Sequence, residues 1–258
     1  MKEPNNILIT GATSGIGRAL ALEYAATGKK LFLIGRNQQR LEQIKEECEK
    51  KDADVFVFSI DIRDAEKLAD WIIKRDEENN IDLVIANAGI SGGTGKFQDS
   101  GGGESEQQVR EIFAINVTGV LNTILPIIPK MKSRKKGQIA IMSSLASFRA
   151  LPGAPSYSAS KAAVRCFGEA LRGDLQQYGV EVSVICPGYV RTPMTDVNNF
   201  PMPFVVEPEK AAIIIKSGLS RNAARIAFPF LIYIFIWFVG CLPTWLTDPI
   251  FSRLPKKE

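Results

Sequence analysis

Short apolar runs alternate along this chain with longer segments whose apolar residues recur at helical spacing. The runs are Ile7 to Thr10, Leu31 to Ile34, Val55 to Ile60, Leu83 to Ala86, Gln138 to Ser143 and Val182 to Cys186. They are short and largely apolar on both faces, which predicts strands buried inside a parallel sheet. Between them, Arg18 to Ala26, Gln39 to Lys50 and Ala65 to Lys74 carry apolar residues three and four apart, the spacing of amphipathic helices. The alternation predicts a single-domain α/β fold, a doubly wound, Rossmann-like parallel sheet with helices on both faces and right-handed crossovers. Two stretches break the pattern. Ser91 to Gly103 contains Gly92-Gly93, Gly95 and Gly101-Gly102-Gly103 and reads as a flexible loop. From Ile226 through Thr247 there is no charged residue, and Leu231 to Val239 is apolar around the whole helical circumference.

Composition narrows the chemistry. A chain of 258 residues can bury one large core, and a net charge of +4 is modest. The one dense basic cluster, Lys132-Ser133-Arg134-Lys135-Lys136, reads as a helix end and a solvated loop, so nucleic acid is not an expected partner. Cys48, Cys166, Cys186 and Cys241 are scattered, with no C-x-x-C spacing and no histidine anywhere, so no metal site is expected. Reduced thiols fit a cytoplasmic setting. The first residues lead straight into Ile7-Leu8-Ile9 without the pattern of a secretory signal. Without histidine, the Ser-His-Asp and Cys-His nucleophile arrangements are excluded too.

The first strand runs directly into Thr10-Gly11-Ala12-Thr13-Ser14-Gly15-Ile16-Gly17, and a helical pattern follows. That is a nucleotide-binding turn in its required context. Gly11 permits the tight turn, Gly15 lets the backbone approach a pyrophosphate, Gly17 allows close helix packing, and the helix N-terminus offers N–H groups to the anion. Gly35 stands at the end of the second strand, where a fold selective for NAD carries an acidic residue. Arg36 follows, and its guanidinium can pair with a 2′-phosphate, so NADPH is expected over NADH.

Further along, Tyr157-Ser158-Ala159-Ser160-Lys161 sets a phenol and an ammonium one helical turn apart. The charge of Lys161 is expected to lower the pKa of Tyr157, making it an acid/base group near neutral pH.

Taken in order, the glycine turn, Asp61-Ile62, Asn87-Ala88-Gly89, Asn116, Ser143-Ser144, Tyr157 to Lys161 and Pro187-Gly188 make the chain resemble the short-chain dehydrogenases/reductases over about residues 5 to 195. The resemblance implies Tyr157 as catalytic acid/base and Lys161 as its partner and as a contact to the nicotinamide ribose. It implies Ser144 as the group steadying the substrate oxygen, with Ser143 the adjacent alternative. Asn116 matches the residue that bends a helix and orders a water leading to the lysine; a helix-packing amide is the other reading. Asp61 and Ile62 match the adenine contact, and Asn87, Ala88 and Gly89 the turn beside the cofactor. Pro187, Gly188, Val190 and Thr192 match the segment that carries the nicotinamide carboxamide, although a threonine there can equally cap the next helix.

The reaction so implied is hydride transfer between a nicotinamide and a carbonyl, in the reducing direction. The competing reading is a cofactor-binding scaffold or sensor without turnover. A lid is expected over about 190–208, and its apolar stretch Asn198 to Val206 favours a hydrophobic ketone. Residues 1–225 are expected to form the catalytic domain of a homodimer or larger homo-oligomer. Residues 226–258 form an apolar extension with Arg225 to Phe228 as a last strand, departing from the family's glycine pair after that strand. Pro229 and Pro243 bracket a helix of about 13 residues, roughly 20 Å long, short of the ~30 Å bilayer core. It reads as a helix packed on the fold or a dimer partner, as a tilted span running through the prolines, or as a shallow membrane contact, with Trp237, Tyr233 and Trp245 at the interface and Arg253, Lys256 and Lys257 near anionic headgroups.

Overall fold

The computed structural model describes residues 3–92, 104–150, 153–198 and 201–251, with the side chains of 250 and 251 excepted. Most of the glycine-rich loop, residues 199 and 200 of the lid, and Arg253, Lys256 and Lys257 lie outside the described residues.

Among the described residues, seven strands form one parallel sheet: β1 Asn6–Thr10, β2 Lys30–Gly35, β3 Asp54–Ser59, β4 Leu83–Ala86, β5 Gly137–Met142, β6 Val180–Pro187 and β7 Arg225–Phe228. Their order is β3-β2-β1-β4-β5-β6-β7. The first crossover leads outward to β2 and the third returns to the other side of β1. The sheet therefore reverses direction between β1 and β4, and a crevice opens at the carboxyl ends of those strands.

Strand alternation divides the core into two layers. Ile7 and Ile9 on β1, Leu31 and Leu33 on β2, and Leu83 and Ile85 on β4 face one side. They pack against α1 (Gly15–Tyr24), α2 (Gln38–Glu49) and α8 (Pro208–Ser220) through Leu20, Leu41 and Ile215. Leu8, Phe32, Ile34 and Val84 face the other side. There they meet α3 (Ala65–Asn79), α5 (Gly119–Ile124) and α7 (Pro155–Gln176) through Leu68, Val120 and Val164. Two apolar faces per strand are what continuous apolar runs require.

Between β4 and β5, α4 (Glu106–Phe113) and α5 are joined by a π-helical turn over Ala114–Thr118, and α6 (Ile128–Ser133) follows. Among the described residues this run, Glu106–Ser133, is the helix long and apolar enough to cross a membrane by length and composition, and here it is a layer helix over the sheet. The basic cluster after it behaves as a helix end. Arg134 pairs with buried Asp76 at 2.8 Å, and Lys136 with Asp82 at 3.2 Å.

After β7 come α9 (Phe230–Gly240) and α10 (Thr244–Phe251), so the strand expected at Arg225 to Phe228 is present. One face of α9 packs on the fold: Ile232, Tyr233 and Ile236 meet Leu145, Val184 and Cys186. The Arg225 guanidinium binds Glu169 through Nε at 3.1 Å and the Tyr233 hydroxyl at 3.0 Å, while lying over the Phe148 ring at 5.0 Å.

Candidate active site

The glycine turn links β1 to α1 and is held from behind by the end of β4. Asn87 Nδ2 donates to the Thr10 carbonyl at 2.9 Å, and the Asn87 and Ala88 amides both donate to Thr10 Oγ1 at 3.1 Å. The close fit fixes the residue types. Gly11 has φ +68°, and a Cβ there would lie 2.9 Å from Ala88 Cα; Gly15 has φ +52°, and a Cβ would meet Thr192 Cγ2 at 2.8 Å. A Cβ on Gly17 would overlap the Gly11 carbonyl. Gly11→Ala is therefore expected to cost about 1–3 kcal/mol of unfolding free energy, seen as a lower urea midpoint, and an unchanged midpoint would contradict the packing. Ser14 sits at the N-cap of α1 without a side-chain capping bond, which leaves the first-turn N–H groups facing the crevice.

The acid/base candidates come from α7, β5 and the π-turn. Asn116 is fully buried; its Oδ1 accepts from the Ile90 amide at 2.8 Å, and its Nδ2 donates to the Ile90 carbonyl at 2.9 Å and to Ser160 Oγ at 3.0 Å. The amide is thus a clamp between the β4 loop and α7, and the bend expected at Asn116 is the π-turn itself. Lys161 is buried, and its Nζ donates to the Met142 carbonyl at 3.0 Å and lies 5.8 Å from the Tyr157 ring centroid. The two neighbouring serines part ways. Ser143 Oγ donates to the Lys161 carbonyl at 2.8 Å, a structural bond between β5 and α7. Ser144 caps the short 3₁₀ turn Leu145–Ser147, its Oγ accepting from the Ala146 amide at 3.1 Å, and its hydroxyl acts to lower the pKa of Tyr157.

The electrostatics correct one expectation. Tyr157 is held above the ordinary tyrosine value, because burial raises it more than the Ser144 hydrogen bond lowers it. Lys161 is itself lowered to about 8 by burial. Its ammonium bonds a carbonyl at the end of β5, and the phenol is governed by burial and Ser144.

Most of these residues line one cavity of about 830 Å³. At one end are the glycine turn, Gly35, Arg36, Ile60 and Ile62; at the centre Ser144, Tyr157 and Lys161; beyond them Pro187, Gly188, Val190 and Thr192. Met194, Pro203 and Phe204 of the lid and Leu231 and Phe235 of α9 complete it. The segment expected to form a lid is tied at its base by a parallel bridge between Val190 and Val206.

The profile of the short chain dehydrogenase family matches residues 5–201. The chain belongs to the short-chain dehydrogenase family. It is accordingly an oxidoreductase. An uncharacterized oxidoreductase of Myxococcus xanthus (strain DK1622) is 38% identical over 248 residues, 96% of each chain. A short-chain dehydrogenase from Sphingobium yanoikuyae, solved in complex with NADPH, superposes with a TM-score of 0.79 at 22% identity, covering 98% of this chain and 97% of that one. A bulky-bulky ketone specific alcohol dehydrogenase from Comamonas testosteroni gives 0.78 at 22% identity, covering 100% and 97%. At these identities the two structures speak to the fold alone.

In this short-chain dehydrogenase the crevice gathers nearly every residue singled out above. Thr13, Ser14, Ile16, Ala88 and Gly89 line it with the rest. Gly17 and Asn116 stand behind the wall, as a packing glycine and a clamp. Asp61 departs from expectation: its carboxylate is taken by Arg63, at 3.0 Å from Nε and 2.6 Å from Nη2, which holds it below the usual carboxylate range. Ile60 and Ile62 form the wall there instead. The Thr192 carbonyl takes the Thr195 and Asp196 amides at 2.8 and 2.9 Å, so this residue supports a turn as well as lining the cavity. Tyr189, also in the wall, was missed, although its place between Gly188 and Val190 could have marked it. Leu231 and Phe235 were missed too, since nothing but apolarity marks them in the sequence.

Proposed function

We propose that the protein is an NADPH-dependent reductase that converts a hydrophobic ketone to a secondary alcohol. The observation that carries this reading is that one cavity joins the glycine turn and Arg36 to Ser144, Tyr157 and Lys161, and then to an apolar lid and helix.

The cradle fits a dinucleotide. Side chains are excluded at Gly11, Gly15 and Gly17, and the open first turn of α1 suits a pyrophosphate. Arg36 is exposed at the end of β2 and would hold a 2′-phosphate. A side chain at position 35 would have to displace Thr13, because a Cβ there would stand 2.6 Å from Thr13 Cγ2. Arg36→Ala is expected to raise KM for NADPH by about 10- to 100-fold, the loss of one charge-assisted pair, with KM for NADH little changed; an unaltered KM ratio would remove the NADPH assignment.

When bound, the nicotinamide supplies the hydride that becomes the new C–H bond. The chain's part is proton and orientation. Tyr157, kept protonated by burial, holds the proton at Oη for the carbonyl oxygen, and Ser144 steadies that oxygen. Lys161 places a buried positive charge beside both, and Asn116 keeps α7 in register with the β4 loop. A protonated phenol at neutral pH favours reduction over the reverse reaction. The cytoplasmic setting is supported by four unpaired cysteines, and a homodimer by exposed Phe113 on α4, Leu125 in the turn between α5 and α6, and Phe167 on α7.

Purified protein should oxidise NADPH with ketones of increasing apolarity, faster as chain length grows. NADPH binding without turnover on any ketone would identify a scaffold instead.

A further inference from the structure

We infer that the mouth of the cavity is a docking face for a phospholipid bilayer, through which an apolar substrate passes from lipid to Tyr157. The inference rests on the reductase reading for the substrate and on independent observations for the surface.

The rim of the cavity is apolar and outward-facing. Leu231 and Phe235 of α9 are 76% and 63% exposed, yet both line the cavity; so do Phe204 of the lid at 67% and Met194 at 37%. The same surface continues away from the mouth. Phe230 is 67% exposed, Phe238 56%, Trp237 46% and Trp245 on α10 74%. These aromatic side chains alone, at about 150–250 Å² each, expose on the order of 500 Å², beyond the ~300–600 Å² that is already the largest patch of a typical monomer once the rim is added.

The face is rigidly presented. Tyr233 is bound by Arg225, a Cβ on Gly240 would overlap the Phe148 carbonyl, and Asp248 of α10 pairs with Arg149 at 2.8 Å. With 11 residues, α9 is about 16 Å long at ~1.5 Å per residue, too short to cross ~30 Å of hydrocarbon. Fixed on one side and apolar on the other, it suits a helix lying in the membrane plane.

Two features select lipid over a second copy of the chain. A protein partner seated on Leu231 and Phe235 would close the mouth, whereas lipid acyl chains leave it connected to a reservoir of apolar substrate. The sequence beyond α10 also supplies Arg253, Lys256 and Lys257, complementary to anionic headgroups, while Trp237 and Trp245 suit the interfacial zone.

The test is co-sedimentation of the NADPH-loaded protein with vesicles of equimolar phosphatidylcholine and phosphatidylglycerol. A triple variant, Phe230→Ser, Phe238→Ser and Trp245→Ser, removes exposed apolar groups that do not line the cavity. The wild type should sediment with the vesicles, and the variant's partition should fall about tenfold or more. Brominated acyl chains should quench wild-type tryptophan fluorescence. The variant should keep wild-type turnover of a water-soluble ketone while losing turnover of a long-chain ketone supplied in vesicles. Wild type left in the supernatant, or equal sedimentation of both proteins, overturns the docking face. So does loss of a dimer by the variant without any vesicle binding by the wild type, which would make the face a contact between copies. Vesicle binding without turnover of any ketone leaves docking standing and defeats the reductase reading.

Discussion

Tyr157→Phe is expected to lower kcat for ketone reduction by about 10²–10⁴-fold, the usual worth of a positioned general acid. The substitution keeps the ring and its packing, so KM for NADPH should move by no more than about twofold if only the reacting proton is lost. Steady-state rates with a saturating ketone, alongside NADPH fluorescence titration, separate the two. A variant that binds cofactor and turns over near the wild-type rate would end the assignment of Tyr157. Because Tyr157 is held above the ordinary tyrosine value, its protonated form persists through neutral pH. The pH dependence then has opposite signs in the two directions: alcohol oxidation, which needs the tyrosinate, should climb with pH toward and beyond 10.

Lys161→Met should lower kcat/KM by about 10²-fold while making the protein harder to unfold. Burial brings Lys161 from 10.5 to about 8. Below about 8 both folded and unfolded chains bind the proton, and the folded chain bears the full cost of a buried charge. As pH rises from about 8 to 10.5 the unfolded chain holds more protons than the folded one, so stability increases over that window. At about 1.4 kcal/mol per pH unit the burial cost at neutral pH is about 3 kcal/mol. Removing the lysine also strips the Met142 carbonyl of a donor, worth about 1 kcal/mol, which is the smaller effect. The variant should therefore melt higher than wild type at neutral pH, with the gap closing in alkaline buffer. Wild-type reductase activity should decline above about pH 8 as the ammonium deprotonates. A lower melting temperature for the variant at neutral pH would mean that the lysine is well solvated or paired, contrary to its surroundings.

The sheet was legible because parallel strands covered on both faces must be apolar throughout, and each such run landed within a residue or two of a strand. The glycine turn was legible for a related reason: Gly11 and Gly17 answer to contacts from Asn87 and Ala88 that admit no side chain. Spacing alone paired Tyr157 with Lys161, whereas Ser144 and Asn116 were singled out with them only through the resemblance to the family. What escaped were facts set by three-dimensional neighbours. The pKa direction of Tyr157 depends on burial and on the Ser144 hydroxyl, and the spacing to Lys161 does not report either. Asp61 looked like a base contact, but Arg63 two residues later captures its carboxylate. The apolar tail announced burial or lipid contact, yet nothing in its composition marked Leu231 and Phe235 as walls of the cavity, because that follows from where β7 ends beside β6.

The π-helical turn at Ala114–Thr118 absorbs one residue more than α-helical winding would use, so the helix before it and the helix after it run out of phase by about 100°. A stripe counted at 3.6 residues breaks there: Ile112 belongs to one count, and Val120, Ile124 and Met131, all buried, to another. A sequence that satisfies both packing surfaces has to keep the number of residues between Ile112 and Val120, and within that count Asn116 must still reach Ile90 and Ser160 while Gly119 stays clear of Ile62. One residue gained or lost there would turn one of the two faces by about 100° away from the layer it packs on.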